Sequence, residues 1–235
     1  MKKIIKKLLA PLRYADKMYL DGYACKSYSQ EGEDMILRRM FEQKSKGFYV
    51  DVGAHHPKRF SNTYFFYKRG WTGINIDAMP GSMKLFKQLR NRDINLEIPI
   101  ASKDQVLTFY SFNEPALNGF SRELSKERDA HNGYFIKDEI LLQTKKLSSV
   151  LDSFLPNGTK IDFLSIDVEG LDLDILHSNN WEKYKPKVIL IEILGCDLAE
   201  IEHNNIAIFL KNKGYMLFAK AVHTIIFTLN EFDGI

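Results

Sequence analysis

The chain has 235 residues, of which 45% are hydrophobic and 27% charged, and its formal net charge is +3. This length suits one α/β domain with a short appendage, and the apolar fraction excludes a wholly disordered chain. The two cysteines are far apart, which argues against a thiolate-built zinc site and a disulfide scaffold. No apolar run approaches the roughly 20 residues that cross a bilayer, and the small net charge argues against nucleic acid as a partner. We therefore expect a cytoplasmic α/β protein, most readily an enzyme.

Residues 1–27 are predicted to form a basic arm that precedes the domain. Positions 1–17 carry six Lys or Arg residues and a single Asp, with apolar residues at helical spacing between the lysines. Such an amphipathic segment predicts peripheral contact with an anionic inner membrane leaflet. The alternative is a solvated helix that packs on the body of the protein or on a second subunit, so the oligomeric state stays open.

Strands and helices alternate through the predicted domain, residues 28–235. The predicted strands are 47–53, 73–77, 96–101, 106–112, 161–167, 187–193, 215–222 and 223–229. The predicted helices are 29–40, 61–68, 80–90, 147–155, 171–178 and 198–211. Residues 113–140 show no clean period and are expected to form an insertion or lid. The alternation predicts an α/β fold with a mostly parallel sheet, helices on both faces, and a C-terminal antiparallel hairpin.

An acid and a glycine at the end of the first strand are the most informative local signal. A dinucleotide fingerprint would need further glycines at positions 55 and 58, where this chain has His55 and Lys58. Asp51 precedes Gly53 instead, and a carboxylate there suits a cationic ligand such as the ammonium group of a methionine moiety. Asp77 ends the next strand, where an acid accepts hydrogen bonds from ribose hydroxyls. Together they favour S-adenosylmethionine, against the alternative of two unrelated strand-end acids.

Five segments of the chain, taken in order, resemble the FkbM family of S-adenosylmethionine-dependent methyltransferases. They are SQEGED at 29–34, FYVDVGA at 48–54, SNT at 61–63, GWTGINID at 70–77 and IDFLSIDVEG at 161–170. The resemblance runs from about residue 28 to the C-terminus and is thinnest across 113–140. It implies a Rossmann-like class I methyltransferase fold with a seven-stranded sheet whose last strand is antiparallel. Family members often carry Glu where this chain has Asp77.

The resemblance also implies which residues hold the cofactor. We expect S-adenosylmethionine to be bound by Gln30, Asp51, Gly53, Ala54, Asn62, Asp77, Ala78, Ser102 and Asp167. Ser102, or Asp104 in its place, is the expected partner of the adenine base.

Three carboxylates follow or end the fourth and fifth strands of the sheet, beside the expected position of the methyl group. Asp167, Glu169 and Glu192 together could bind a divalent cation such as Mg²⁺, which lowers the pKa of an acceptor hydroxyl. Alternatively Asp167 or Glu169 acts directly as the base. In the third interpretation Asp167 contacts the cofactor, Glu169 caps the following helix and Glu192 accepts a hydrogen bond from the backbone. His55, which follows the glycine turn, is a further candidate base.

The expected reaction is methyl transfer to a hydroxyl of a sugar in capsular polysaccharide, lipopolysaccharide or glycolipid biosynthesis. The sugar follows from the family's association with glycan and polyketide pathways, and the acceptor would be a glycan, a nucleotide sugar or a lipid-linked sugar. Aromatic residues at 109, 110, 112, 134 and 135 could line the acceptor groove or belong to the core. Two other functions remain open. They are an NAD-dependent sugar oxidoreductase or epimerase, and a non-catalytic cofactor-binding module that docks a glycosyltransferase.

Overall fold

The computed structural model describes residues 22–232, so most of the basic arm lies outside the described residues. Nine strands and seven α-helices cover this range. The strands are β1 Phe48–Val52, β2 Thr72–Asp77, β3 Ile94–Glu97, β4 Val106–Phe112, β5 Ile136–Gln143, β6 Phe163–Ile166, β7 Val188–Glu192, β8 Tyr215–Ala221 and β9 Thr224–Leu229. The helices are α1 Glu33–Met40, α2 Tyr64–Lys68, α3 Met83–Leu89, α4 Arg122–Arg128, α5 Leu147–Phe154, α6 Asp172–Ser178 and α7 Asn205–Asn212, with 3₁₀ turns at Pro115–Leu117 and Ile201–His203. Within this range no helix combines the length and apolarity needed to span a bilayer.

Seven strands form one sheet in the order β3-β2-β1-β6-β7-β9-β8. The pairs from β3 to β7 are parallel, and β9 runs antiparallel to both of its neighbours, β7 and β8. This order confirms the predicted Rossmann-like fold of class I methyltransferases, including the C-terminal antiparallel hairpin. The strand order reverses at β1, because the chain adds β2 and β3 on one side of it and β6 and β7 on the other. Ligands of open α/β sheets bind at such a switch point, beyond the carboxyl ends of the strands.

Both faces of the sheet are covered, which is why its central strands are apolar throughout. All five residues of β1 are buried. Val50 and Val52 belong to a cluster on the face that also buries Leu151, Leu176 and Leu210 of α5, α6 and α7. Tyr49, one residue away along the strand, points to the opposite face, where it joins Leu37 of α1 and Phe66 of α2.

The region between β3 and α5 differs from the prediction. The third strand occupies Ile94–Glu97 and not 96–101, and β4 lies outside the main sheet, where it pairs antiparallel with β5. The strand β5 was not predicted, because the exposed run Lys137–Asp138–Glu139 interrupts its apolar alternation. Residues 113–140 therefore form an ordered insertion that contains a 3₁₀ turn, α4 and the start of β5.

Candidate functional site

A cavity of about 620 Å³ lies at the carboxyl ends of β1, β2, β6 and β7. Its volume falls in the range of small-molecule sites. Its walls come from the glycine turn after β1, the ends of β2, β6 and β7, the segment after β3, and the insertion. The sequence-predicted residues that line it are Gln30, Gly53, His55, Asp77, Ala78, Asp167, Glu169 and Glu192.

The turn after β1 needs glycine at position 53. Gly53 has a left-handed backbone, φ +84°, and a Cβ atom there would lie 1.7 Å from the carbonyl oxygen of Asp167. The N–H groups of Gly53 and Ala54 donate to the carbonyl oxygen of Ile76 at 2.9 and 3.0 Å. The turn thus bonds the end of β1 to β2 and contacts the residue after β6. Because Gly53 has no side chain, its backbone lines the cavity directly.

Asp77 at the end of β2 is fixed in orientation by two backbone donors. The N–H of His55 donates to Asp77 Oδ2 at 2.9 Å, and the N–H of Met79 donates to Oδ1 at 2.8 Å. Burial raises the pKa of this carboxyl, while the bonds from Met79 and His55 oppose that rise. A carboxylate held in this way keeps lone pairs free for ligand hydroxyl groups, as a ribose diol requires.

Asp51 and Ala54 lie behind the cavity wall. Asp51 is buried and accepts a hydrogen bond of 2.9 Å from Thr63 Oγ1. Burial raises the pKa of its carboxyl to about 6, against the lowering effects of Thr63 and Arg90. Ala54 packs with Met83 and Phe86 of α3. Neither residue is among those that line the cavity.

Arg90 supports the glycine loop from inside the protein. Its side chain is fully buried and pairs with Asp93 at 2.8 Å. Nη1 donates to the carbonyl oxygen of Pro57 at 3.1 Å, and Nη2 donates to Tyr49 and Thr63 at 2.8 and 3.1 Å. Since Thr63 bonds Asp51, the arginine links the loop after β1 to the acid within β1.

The segment after β3 reaches the cavity through Ile98 and Ile100, and not through Ser102. Ser102 is half-buried outside the cavity lining, and Asp104 Oδ1 accepts a hydrogen bond from the N–H of Lys146 at 3.2 Å. The expected adenine-facing position is therefore occupied by two isoleucines. The difference arises because β3 ends earlier than predicted, so the residues that reach the sheet edge are earlier in the chain.

Asp167, Glu169 and Glu192 are brought together as predicted, with one oxygen of each within 4.8 Å of the others. The Asp167 side chain is exposed to the cavity, and protein surrounds it on its other sides. Burial, and then the negative charges of Glu192 and Glu169, raise the pKa of Asp167 well above its usual range. Burial and Glu169 raise the pKa of Glu192 to about 8. Crowding of three carboxylates in a poorly solvated place disfavours full ionisation, so the cluster retains a proton near neutral pH.

Glu169 is held by the insertion. Its backbone is left-handed, φ 55°, and its Oε2 lies 2.7 Å from Arg128 Nη2 on α4. Burial raises the pKa of Glu169 and Arg128 opposes that rise. A Cβ atom on Gly119 would lie 2.9 Å from Glu169 Cβ, so the insertion contacts this turn without space for a side chain.

A small polar recess of about 20 Å³ adjoins the main cavity and shares Gln30, Asp167 and Glu192 with it. It is also lined by Asn62, whose Nδ2 donates to Ser165 Oγ at 3.1 Å. The buried Oδ1 of Asn62 has no hydrogen-bond partner among residues 22–232. The recess is large enough for one water-sized group. Asn62 therefore presents an oxygen acceptor beside the shared carboxylates.

The insertion supplies an apolar and aromatic wall opposite the sheet. Leu117, Phe120 and Tyr134 line the cavity together with Phe109 of β4, and the rings of Phe109 and Phe120 are 5.0 Å apart. The other three aromatics of the predicted groove, at 110, 112 and 135, do not line the cavity. Of these, Tyr110 and Phe112 are buried in the protein and Phe135 is exposed.

His55 lies in the cavity wall with a left-handed backbone, φ 49°. Its Nε2 is buried and has no hydrogen-bond partner in the part of the chain that the structure describes. Burial, and then the positive charge of Arg59, lower the pKa of His55. The imidazole is therefore neutral at neutral pH, as a base must be. Arg59 also pairs with Glu114 of the insertion at 3.0 Å, and this bond lowers the pKa of Glu114.

Comparison with known proteins gives one family match and several structural neighbours. The sequence model of the methyltransferase FkbM domain matches residues 51–217. No curated protein is similar enough in sequence to count as a relative. Among solved structures, a proposed RNA methyltransferase from Pyrococcus horikoshii is 9% identical, with 85% of this chain and 83% of that chain covered and a TM-score of 0.44. A TehB-like SAM-dependent methyltransferase from Corynebacterium glutamicum is 12% identical, with 93% and 97% covered and a TM-score of 0.41.

Proposed function

This chain belongs to the FkbM methyltransferase family, and from that premise we propose that it transfers the methyl group of S-adenosylmethionine to a hydroxyl of a sugar. The observation that carries the proposal is the placement of Asp77 and the carboxylate cluster on opposite sides of Gly53 in one cavity. Asp77 suits the binding of a nucleoside, and the carboxylate cluster suits the removal of a proton. The oxidoreductase alternative lacks support, because the family is one of methyltransferases and the phosphate-binding glycines are absent.

We place the cofactor across the ends of β2, β1 and β6. Ile98 and Ile100 offer an apolar surface for the adenine, and Asp77 accepts from the ribose hydroxyls. The polar recess, which is lined by Glu31 and Glu33 as well as Asn62 and has space for one small group, suits the ammonium group of the methionine end. In this orientation Asp51 acts indirectly, through Thr63 at the start of α2.

The cluster is proposed to accept the proton of the acceptor hydroxyl. A methyl group on a sulfonium is already activated, so the protein has to hold the acceptor in line and remove its proton. Glu192 is suited to this role in its ionised form, which prevails above its pKa of about 8, so the proton that the cluster retains near neutral pH has to leave before Glu192 can act as the base. Arg128 keeps Glu169 paired, which leaves Asp167 and Glu192 facing the cavity.

The same carboxylates also fit a divalent cation as a donor set. Three hard oxygen ligands within 4.8 Å of one another suit a cation such as Mg²⁺. Bound there, the cation would lower the pKa of an acceptor hydroxyl. Asp167 and Glu192 would hold it most readily, since Glu169 already pairs with Arg128. We therefore keep metal assistance as a second form of the same proposal.

A sugar suits the wall that faces the cluster. Phe109, Phe120 and Tyr134 present aromatic rings on which the apolar face of a sugar ring stacks, while the carboxylates accept hydrogen bonds from its hydroxyls. A role in capsular polysaccharide, lipopolysaccharide or glycolipid synthesis, with a nucleotide sugar or a lipid-linked sugar as acceptor, is part of this proposal.

The test uses S-adenosylmethionine with an isotopically labelled methyl group and a panel of nucleotide sugars and lipid-linked sugars. We expect the label in an O-methyl group of one acceptor, identified by NMR, and no transfer by the Glu192→Gln variant. A labelled methyl group on nitrogen or carbon would contradict the proposed acceptor. Cofactor binding without transfer to any sugar would instead favour a non-catalytic module that docks a glycosyltransferase.

A further inference from the structure

The outer surface around α2 carries a dense set of cations that the cofactor site does not use. We call it the basic-aromatic face and define it by six cations. They are Lys26, Arg38, Lys58, Lys68, Arg69 and Arg92. Each of them caps an aromatic ring of α2 or of Tyr28, which packs edge-on against Tyr64 with ring centroids 4.8 Å apart.

The contacts show that aromatic rings and cations alternate across this face. Lys26 and Lys68 lie 5.4 and 5.3 Å from the centre of the Tyr28 ring. Arg38 and Arg69 lie 5.6 and 5.5 Å from the centre of Phe65. Tyr64 is capped by Lys58 and Tyr67 by Arg92. The Tyr67 ring is buried, whereas the rings of Tyr28, Tyr64 and Phe65 are half-buried and reach the surface beneath the cations.

None of the six cations forms an ion pair with any residue between 22 and 232. Asp34, an acid of the adjacent helix α1, is fully buried and accepts from Ser27 and Ser29 instead. An ordinary protein surface intersperses charges of both signs. A uniform cluster of this kind therefore carries a net positive field that favours an anionic partner.

We propose that the basic-aromatic face docks on an anionic membrane surface. Cations attracted to acidic headgroups and tyrosine or phenylalanine rings at headgroup level are the two features that bind proteins to such a surface. Residues 1–17, which lie outside the described residues, carry six Lys or Arg residues and one acid, so the same sign of charge dominates that part of the sequence. The basic-aromatic face and the basic N-terminal stretch, which are separate in the sequence, therefore both favour an anionic partner.

The basic-aromatic face lies close in sequence to residues that line the cavity, so docking at this face would bring the membrane near the cavity. Lys58 is followed directly by Arg59 and Phe60, which line the cavity, and α2 starts beside Asn62 of the polar recess. A membrane bound at this face would therefore lie close to residues of the cavity wall, to which the proposed lipid-linked acceptor would bind. The docking itself does not rest on the proposed methyl transfer.

The test measures binding of the full chain to sedimented vesicles, without any methyl donor. We expect binding to phosphatidylcholine vesicles that contain phosphatidylglycerol, and little to phosphatidylcholine alone. The triple variant Lys58→Gln, Lys68→Gln, Arg69→Gln should bind more weakly by roughly fivefold per charge, hence about a hundredfold in all. The charge-conserving variant Lys58→Arg, Lys68→Arg, Arg69→Lys should retain binding, and its retention would show that charge and not misfolding is responsible.

A matched control removes three exposed lysines elsewhere, in Lys137→Gln, Lys160→Gln, Lys211→Gln. Of these, Lys211 lies on α7, which packs on the opposite face of the sheet from α2. The control should bind as the unaltered chain does. Equal losses in both triple variants, equal binding to neutral vesicles, or preference for a single-stranded oligonucleotide over anionic vesicles would each overturn the proposal.

Discussion

Arg90 Nη1 lies 3.1 Å from the carbonyl oxygen of Pro57, so a fully buried guanidinium holds the loop that lines the cavity. His55 and Phe60, which lie on either side of Pro57 in the loop, both have a left-handed backbone. Such conformations persist only where the surroundings fix them, and here the surroundings include a charged side chain with no access to water. The loop's geometry therefore depends on a residue that directly follows α3, the second helix after the loop.

Replacing Arg90 by Met should destabilise the protein by about 3 kcal/mol or more, because Asp93 would be left as a buried, unpaired charge. The measurement is urea unfolding followed by circular dichroism. Arg92→Met is the control, since Arg92 is exposed and its loss should cost well under about 1 kcal/mol. Similar losses in the two variants would contradict the role given to Arg90.

Gly53→Ala should abolish cofactor binding. The new methyl group would lie 1.7 Å from the Asp167 carbonyl oxygen, so β1 and β6 would have to separate. Gly158→Ala is a matched control, because Gly158 is also left-handed, φ +74°, yet has open space around its Cβ position. It should cost only the backbone strain of roughly 1–2 kcal/mol. Calorimetric titration with S-adenosylhomocysteine checks both, and undiminished binding by Gly53→Ala would contradict the model of the turn.

Asp77→Asn should weaken S-adenosylhomocysteine binding roughly tenfold to a hundredfold, the usual effect of losing hydrogen bonds to a charged acceptor. An amide offers one acceptor oxygen, whereas the N–H groups of His55 and Met79 use both oxygens of the carboxylate. Asp104→Asn, at an exposed acid after β3, should leave the affinity unchanged. An Asp77→Asn variant that binds as tightly as the parent would place the ribose elsewhere.

Stability should fall as the pH rises through the range set by Glu192. The pKa of this carboxyl is about 8 in the folded protein, because burial and then the charge of Glu169 raise it. In the unfolded chain its pKa has the usual value of about 4.3. Between these values the folded state binds a proton that the unfolded state does not, so deprotonation opposes folding. In chelator, Glu192→Gln should therefore melt several degrees above the parent at about pH 9, with no difference near about pH 4. A constant difference across the range would contradict the crowding of the cluster.

Chelation separates the two forms of the proposed mechanism. If a carboxylate alone removes the proton, methyl transfer should be unchanged by EDTA and lost in Glu192→Gln. If a cation assists, EDTA should abolish transfer and added Mg²⁺ should restore it, because three carboxylates supply most of its protein ligands. Binding of S-adenosylhomocysteine, measured in parallel, should survive both treatments, which distinguishes loss of chemistry from loss of the cofactor site.

The repeating part of the fold could be predicted from the sequence because each central strand is a short apolar run ended by an acid or a glycine. Asp77, Asp167 and Glu192 could be placed at one edge of the sheet for the same reason, since the carboxyl ends of parallel strands share that edge. Asp51 follows the same pattern yet lies behind the wall. Within β1 its side chain faces α2, and sequence position alone does not distinguish that face from the cavity.

The insertion could not be predicted in the same way. Arg128 and Glu114 contact Glu169 and Arg59 across long stretches of chain, and no local period marks either residue. The strand β5 has an exposed polar run at 137–139, so its burial alternates only from residue 140 onward. The left-handed conformation of Glu169 also follows from its tertiary contacts, because the residue type gives no sign of it.

The contact between Gly119 and Glu169 limits how the acceptor specificity of this enzyme can be redesigned. Exchanging residues 113–140 with the corresponding stretch of another methyltransferase would replace the aromatic wall, yet the graft would seat only if it carried glycine at the point of contact. Gly170 imposes the matching condition from the other partner, because a methyl group there would press on Ser121 and Leu124. Chimeras should therefore be built with both glycines retained, so that a new aromatic wall meets an unaltered turn after β6.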